Sequence, residues 1–158
     1  MKTHWKIFFI AIAIPLTVGA LSALLTRESM MTFELLVKPP LSPPAWLFPV
    51  VWTILYFLMG AASYLVFTSE QASSQEIRQA LSSYALQLFF NFFWSIIFFN
   101  LMTYLFAFIW LCVLLFLIVL TALQFFRIHK TAGYLLVPYI IWVTFAGYLN
   151  LSIYLLNR

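Results

Sequence analysis

Four side chains in "SSYALQLFFNFFWSIIFF" share one helical face: Ser83, Gln87, Asn91 and Trp94 stand at i, i+4, i+8 and i+11. Trp142, Ala146 and Asn150 repeat the spacing in "PYIIWVTFAGYLNLSIYLLNR", with Tyr139 near its start. Trp52, Tyr56 and Ser63 make a third such row at i, i+4 and i+11. Amides, hydroxyls and indoles give and take hydrogen bonds but do not relay protons at neutral pH. An amide turned toward lipid would lose its partners, so each row is expected to face other helices. Two uses fit. Asn and Gln can tie membrane helices together, the reading preferred for Gln87. A tryptophan halfway along an apolar segment, beside amides and small residues, can instead wall a pocket for a flat apolar ligand with few polar groups. Trp94 and Trp142 are placed that way.

The rows lie on segments with no acidic or basic residue in their interiors. Pumps and ion-coupled transporters place such residues at depth, where they are costly and therefore purposeful. Hydrolysis needs a titratable base within reach of a nucleophile. Both classes are disfavoured. There is no Gly-rich phosphate loop, HExxH or GxSxG, and the single cysteine, Cys112, allows neither an intrachain disulfide nor a cysteine-rich zinc site. No metal, no cofactor and no nucleic-acid partner is expected. His4 and His129 sit beside lysines at segment ends and read as solvated.

The elements that must position these rows follow from composition. The 158 residues are 65% hydrophobic, 20% aromatic and 8% charged. Soluble domains carry about 25% charge, and so few charges cannot cover so much apolar surface in water. An integral membrane protein is implied, with the lipid bilayer as its partner. Five continuous apolar segments, 7–25, 46–67, 80–100, 103–126 and 134–156, each approach the ~20 residues a helix needs to cross a bilayer. The fold expected is all-α, a single transmembrane domain over 1–158 built as a bundle of five helices. The first segment lacks an A-x-A site and is long for a signal peptide, so it is read as a retained helix kinked at Pro15. Its small residues Gly19, Ser22, Ala23 and Thr26 form an edge that would let a neighbouring backbone approach. "NLMT" forces a tight hairpin between the third and fourth segments, whereas "TSEQASSQEIRQ" and "RIHKTAG" read as turns. Basic residues favour one side, Lys2, Lys6, Arg78, Arg127 and Lys130 against Arg27, Lys38 and Arg158, and five against three favours the N-terminus in the cytoplasm.

"KPPLSPPAWLFPVVW", residues 38–52, gathers five of the seven prolines and two of the six tryptophans. Each proline lacks an N–H and biases its predecessor away from helix. The stretch is expected to be a stiff strap across the bundle mouth, acting either as a simple closure or as a lid. Pro49 would loosen the next helix start, so that Trp46 and Trp52 aim at one spot.

These three blocks, "KPPLSPPAWLFPVVWTILYFLMG", "YALQLFFNFFWSIIFF" and "PYIIWVTFAGYLN", resemble the tryptophan-rich sensory protein family, also called translocator protein or peripheral-type benzodiazepine receptor. The match runs in order through nearly the whole chain. The resemblance implies a five-helix bundle, often a homodimer, that binds porphyrins and other flat hydrophobic small molecules. It also implies that Trp52, Trp142, Ala146 and Asn150 face a pocket, with Asn91 and Trp94 as the third-helix pair. Trp46, Pro49, Tyr56, Gln87 and Tyr139 complete the expected ligand-binding set. Leu41 stands where many members have tryptophan, Phe93 where a small residue is common, and Gly147 and Leu151 depart from the usual "TYLNY". Phe93 is expected to narrow the pocket. Leu151, Tyr154 and Arg158 satisfy a loose sterol-contact pattern, on which no weight is placed. Three functions are compatible: a receptor or sensor for porphyrins of the protoporphyrin IX class, photo-oxidative breakdown of bound porphyrin with Trp52 and Trp142 as redox residues, or facilitated transport of porphyrin or sterol-like ligands. The expected location is the bacterial cytoplasmic membrane.

Overall fold

The computed structural model describes residues 2–158. Long helices α1 (Lys2–Thr26), α3 (Leu47–Phe67), α4 (Ser74–Ser95, continued by a π-helical turn Ile96–Asn100), α5 (Tyr104–Ile128) and α7 (Val137–Leu156) build the bundle. Two one-turn helices, α2 (Ser29–Glu34) and α6 (Lys130–Leu135), lie in its connections. Five helical stretches are long and apolar enough to cross a membrane, with α6 and α7 counting together as the fifth. Their outward faces carry Phe9, Leu24, Ile109 and Phe116, all exposed. Such a surface is stable only against lipid.

Three connections differ from the turns read in the sequence. The first loop contains α2. Helix α4 starts at Ser74 instead of position 80, because Ser73 and Glu76 form a reciprocal capping box: Glu76 N–H donates to Ser73 Oγ at 3.2 Å, and Ser73 N–H donates to Glu76 Oε2 at 2.8 Å. In "RIHKTAG" only His129 breaks the helix, and its Nδ1 is buried without a partner rather than solvated. The "NLMT" hairpin is as tight as expected. The π turn closes with Leu101 N–H donating to Ile96 O at 3.0 Å, and Met102 takes the left-handed φ of 51° before α5 begins.

Helix α1 packs chiefly on α3, α4 on α5, and α5 on α7. The close backbone approach is made by Gly60 of α3. A Cβ there would stand 2.6 Å from Ile12 Cα and 2.7 Å from Ala11 O. The small edge of α1 is used differently. Gly19 meets the ring of Tyr56, and Ser22, Ala23 and Thr26 border empty space.

The proline stretch is tied to α7. Val37 exchanges hydrogen bonds with Asn157, Tyr148 Oη donates to Pro40 O at 2.9 Å, and Phe48 meets Trp142 edge-on at 5.9 Å. Residues 37 to 48 thus descend along α7 from its C-terminus toward its middle. Leu41 makes the one left-handed turn in this path, at φ 69°. Helix α3 starts level with the end of α1, as the pairing of Gly60 with Ile12 and of Gly19 with Tyr56 requires, and the space beside its first turn is covered by α2, whose Phe33 meets Phe48.

Candidate functional site

A cavity of about 590 Å³ occupies that space. This lies within the ~300–1,000 Å³ of small-molecule sites. Helix α1 supplies Leu16, Gly19, Ala20, Ser22, Ala23 and Thr26, where short side chains leave room for a guest. Helix α3 supplies Phe48, Pro49, Trp52, Thr53 and Tyr56, and the end of α4 supplies Trp94, Ser95, Phe98 and Phe99. Helix α7 supplies Trp142, Ala146, Leu149, Asn150 and Ile153. Met30 and Phe33 of α2 close the top, and Arg27 stands at the rim. Phe33 is edge-on to Phe48 at 6.4 Å and to Phe99 at 5.5 Å, so the cover is aromatic on its inner side.

Two polar networks fix the walls. In the first, Tyr56 Oη donates to Asn91 Oδ1 at 2.9 Å, Asn91 Nδ2 donates to Tyr139 Oη at 2.6 Å, and Tyr139 Oη donates to Gln87 Oε1 at 2.7 Å. Gln87 Nε2 ends the chain on Met59 Sδ at 3.8 Å, a weak contact. Trp52 rests on this frame, stacked on Tyr56 at 5.5 Å and 27° and edge-on to Tyr139 at 6.2 Å. In the second, Trp94 Nε1 donates to Asn150 Oδ1 at 3.1 Å, and Asn150 Nδ2 donates to Tyr104 O at 2.8 Å, joining α4, α7 and α5. Trp94 stacks on Phe98 at 5.3 Å. With these amides and hydroxyls satisfied, the tryptophan rings are held as fixed surfaces. The indole N–H of Trp142 is different: it is buried, belongs to a lining residue, and has no acceptor. It is a donor that a ligand oxygen can satisfy.

The structure therefore brings Pro49, Trp52, Tyr56, Trp94, Trp142, Ala146 and Asn150 around one cavity. Gln87, Asn91 and Tyr139 stand behind it. They are at most 1% exposed and bonded to one another, so they orient Tyr56 and Trp52 instead of touching a guest. Trp46 is not at the cavity. It is 67% exposed, and six residues along a helix turn it about 120° from Trp52. Pro49 does not loosen the start of α3. It occupies the first turn, where its missing N–H has no partner to lose, and its carbonyl accepts from Thr53 Oγ1 at 2.6 Å. Phe93 does not narrow the cavity either: it points outward against Phe89, ring centroids 4.7 Å apart. Gly147 and Leu151 line a separate shallow hollow between α5 and α7.

Sequence reasoning missed Phe48, Phe98 and Phe99 although a signal existed. Phe48 is four residues before Trp52, and Phe98 is four after Trp94, so each extends a face already noticed. Arg27, Met30 and Phe33 carry no such periodicity, because the six residues of α2 are too few to repeat a face.

The comparisons with known proteins agree with this architecture. A sequence model described as the TspO/MBR family matches residues 11–156. The "Tryptophan-rich protein TspO" of Chlorobaculum tepidum is 40% identical over 149 residues, covering 94% of each chain. The "Tryptophan-rich sensory protein" of Cereibacter sphaeroides is 36% identical over 160 residues, covering 99% of this chain and 95% of its own. The "Translocator protein" of Bos taurus is 35% identical over 133 residues, covering 84% of this chain and 79% of its own. Five spanning helices, a match over nearly the full length and membrane-protein relatives lead to one assignment: the chain is a multi-pass integral membrane protein and belongs to the TspO/MBR family.

Proposed function

We propose that this chain is a receptor or sensor that takes porphyrins of the protoporphyrin IX class, and other flat apolar molecules, into the cavity beneath α2. The observation that carries the reading is the cavity wall itself: three tryptophans, Trp52, Trp94 and Trp142, with the first two braced by hydrogen-bond networks and the third offering a free N–H. Rigid aromatic walls with few polar points suit a flat conjugated guest, which gains affinity from apolar burial and stacking. The printed names of the relatives, sensory protein and translocator protein, fit this reading. The bacterial cytoplasmic membrane is the proposed location, and a homodimer the proposed assembly; sedimentation in a density-matched detergent tests the latter.

The test is a titration with protoporphyrin IX in the dark, following tryptophan quenching and the Soret band together. Saturable binding, weakened in the Trp52→Phe, Trp142→Phe double variant, is expected. Unchanged affinity in that variant, with its fold intact, removes the cavity assignment.

A second reading, light- and oxygen-dependent breakdown of the bound porphyrin, is supported by the stack of Trp52 on Tyr56, which sets oxidisable rings in contact at the wall. It predicts a new absorbing product under illumination that disappears in the same double variant and is absent from free dye. Counterflow of labelled porphyrin in liposomes tests facilitated transport.

A further inference from the structure

Among the described residues that line the cavity, Arg27 is the only charged one. It follows the last turn of α1, at the rim beneath which Met30 and Phe33 close the space. The chain on both sides of it is tied to Asn100. Asn100 Nδ2 donates to Leu25 O at 3.0 Å, and Ser29 Oγ donates to Asn100 Oδ1 at 2.7 Å. The side chain is thus hung from a fixed point, while no hydrogen bond among the described residues engages its guanidinium. The neighbouring cation is already used. Lys38 Nζ lies 5.0 Å from the centroid of the Phe33 ring and donates to Glu34 O at 3.3 Å. Glu28 and Glu34 do not line the cavity, and no other carboxylate does among the described residues.

We propose that Arg27 is a specificity-determining residue, selecting flat apolar ligands that carry a carboxylate and orienting them with that group toward α2. The inference rests on the cavity being the ligand site and adds which end of the ligand is read. A planar guanidinium takes a carboxylate through two parallel N–H···O bonds, a geometry that an ester cannot offer with a full charge. The interior of the cavity offers nothing comparable. Its amide, Asn150, is held between Trp94 Nε1 and Tyr104 O, and the N–H of Trp142 is a single neutral donor. An acid would therefore seat with its ring system against Trp52 and Trp142 and its carboxylate at the rim, where water still reaches its outer oxygen. Arg27 is exposed, so the preference should be moderate and should shrink as salt rises.

The experiment compares protoporphyrin IX with its dimethyl ester on the wild type, Arg27→Gln and Arg27→Lys, in nanodiscs of zwitterionic lipid at two salt concentrations. The wild type should favour the acid by about tenfold at low salt, the size of one charge-assisted pair partly screened by water. Arg27→Gln should lose that preference by weakening the acid alone and leave the ester within about twofold, while Arg27→Lys should keep part of it. Equal binding of acid and ester to the wild type overturns the inference and leaves the cavity in place. So does an equal loss of both in Arg27→Gln, which would assign Arg27 to cavity shape or to lipid phosphate. If the wild type binds neither compound, the cavity reading falls and this inference with it.

Discussion

Replacing Asn91 with leucine tests whether the frame behind Trp52 is structural or touches ligand. The amide makes two bonds, accepting from Tyr56 Oη at 2.9 Å and donating to Tyr139 Oη at 2.6 Å. Tyr139 keeps its bond to Gln87 in the variant, but the Tyr56 hydroxyl proton is left without an acceptor in an apolar interior. Two interhelical bonds in a membrane are worth about 0.6 kcal/mol each, and a stranded buried donor costs about 1–3 kcal/mol, for a total of about 2–4 kcal/mol. Tyr56→Phe alone should cost less, because it strands only one lone pair of an amide that keeps its other partner. The double variant Asn91→Leu, Tyr56→Phe has no stranded group at this contact, so its cost should fall below the sum by about 1–2 kcal/mol. Reversible unfolding in mixed micelles, followed by tryptophan emission, measures all three. Porphyrin affinity should fall less in Asn91→Leu than in Trp52→Phe, since Asn91 does not line the cavity. Strict additivity of the two costs would refute the proposed bond between hydroxyl and amide. An affinity loss larger than that of Trp52→Phe would refute the placement of Asn91 behind the wall.

Other consequences follow from single contacts. Trp142→Phe should leave stability within about 0.5 kcal/mol of wild type, because its N–H has no partner to lose, yet weaken any ligand that accepts from it; unfolding and titration on the same preparation check both. Gly60→Ala should destabilise by about 1–3 kcal/mol, since the added Cβ meets the α1 backbone at Ile12 and Ala11, which cannot rotate away; the unfolding midpoint reads this. Phe93→Ala should change porphyrin affinity by less than about twofold, because its side chain faces outward beside Phe89, and a larger change would put it back at the cavity.

How much of this was legible in the sequence depended on whether a feature obeyed a local period. The five spans were readable because a bilayer demands continuous apolar length, and the polar rows were readable because lipid forbids an unpaired amide. Even the start of α4 was written locally, in the Ser73-x-x-Glu76 signature, and was overlooked beside the stronger polar character of "TSEQASSQEIRQ". What no period could give was depth. Gln87, Asn91 and Trp94 share a face, but only the levels at which α3 and α7 arrive decide that Asn91 meets Tyr56 and Tyr139 while Trp94 reaches the cavity. Those levels are set by the descent of the proline stretch along α7, fixed by Asn157, Tyr148 and Trp142. The prolines therefore act at a distance. By keeping residues 37–46 out of regular helix they hold the chain against α7 until α3 begins at Leu47, and they set Ala45 beside the space that α2 covers and Trp52 and Trp142 line. The stretch that first suggested a lid meets the cavity at Ala45 and the α2 cover at Phe33, where Lys38 packs on the ring, so the two segments enclose the space together.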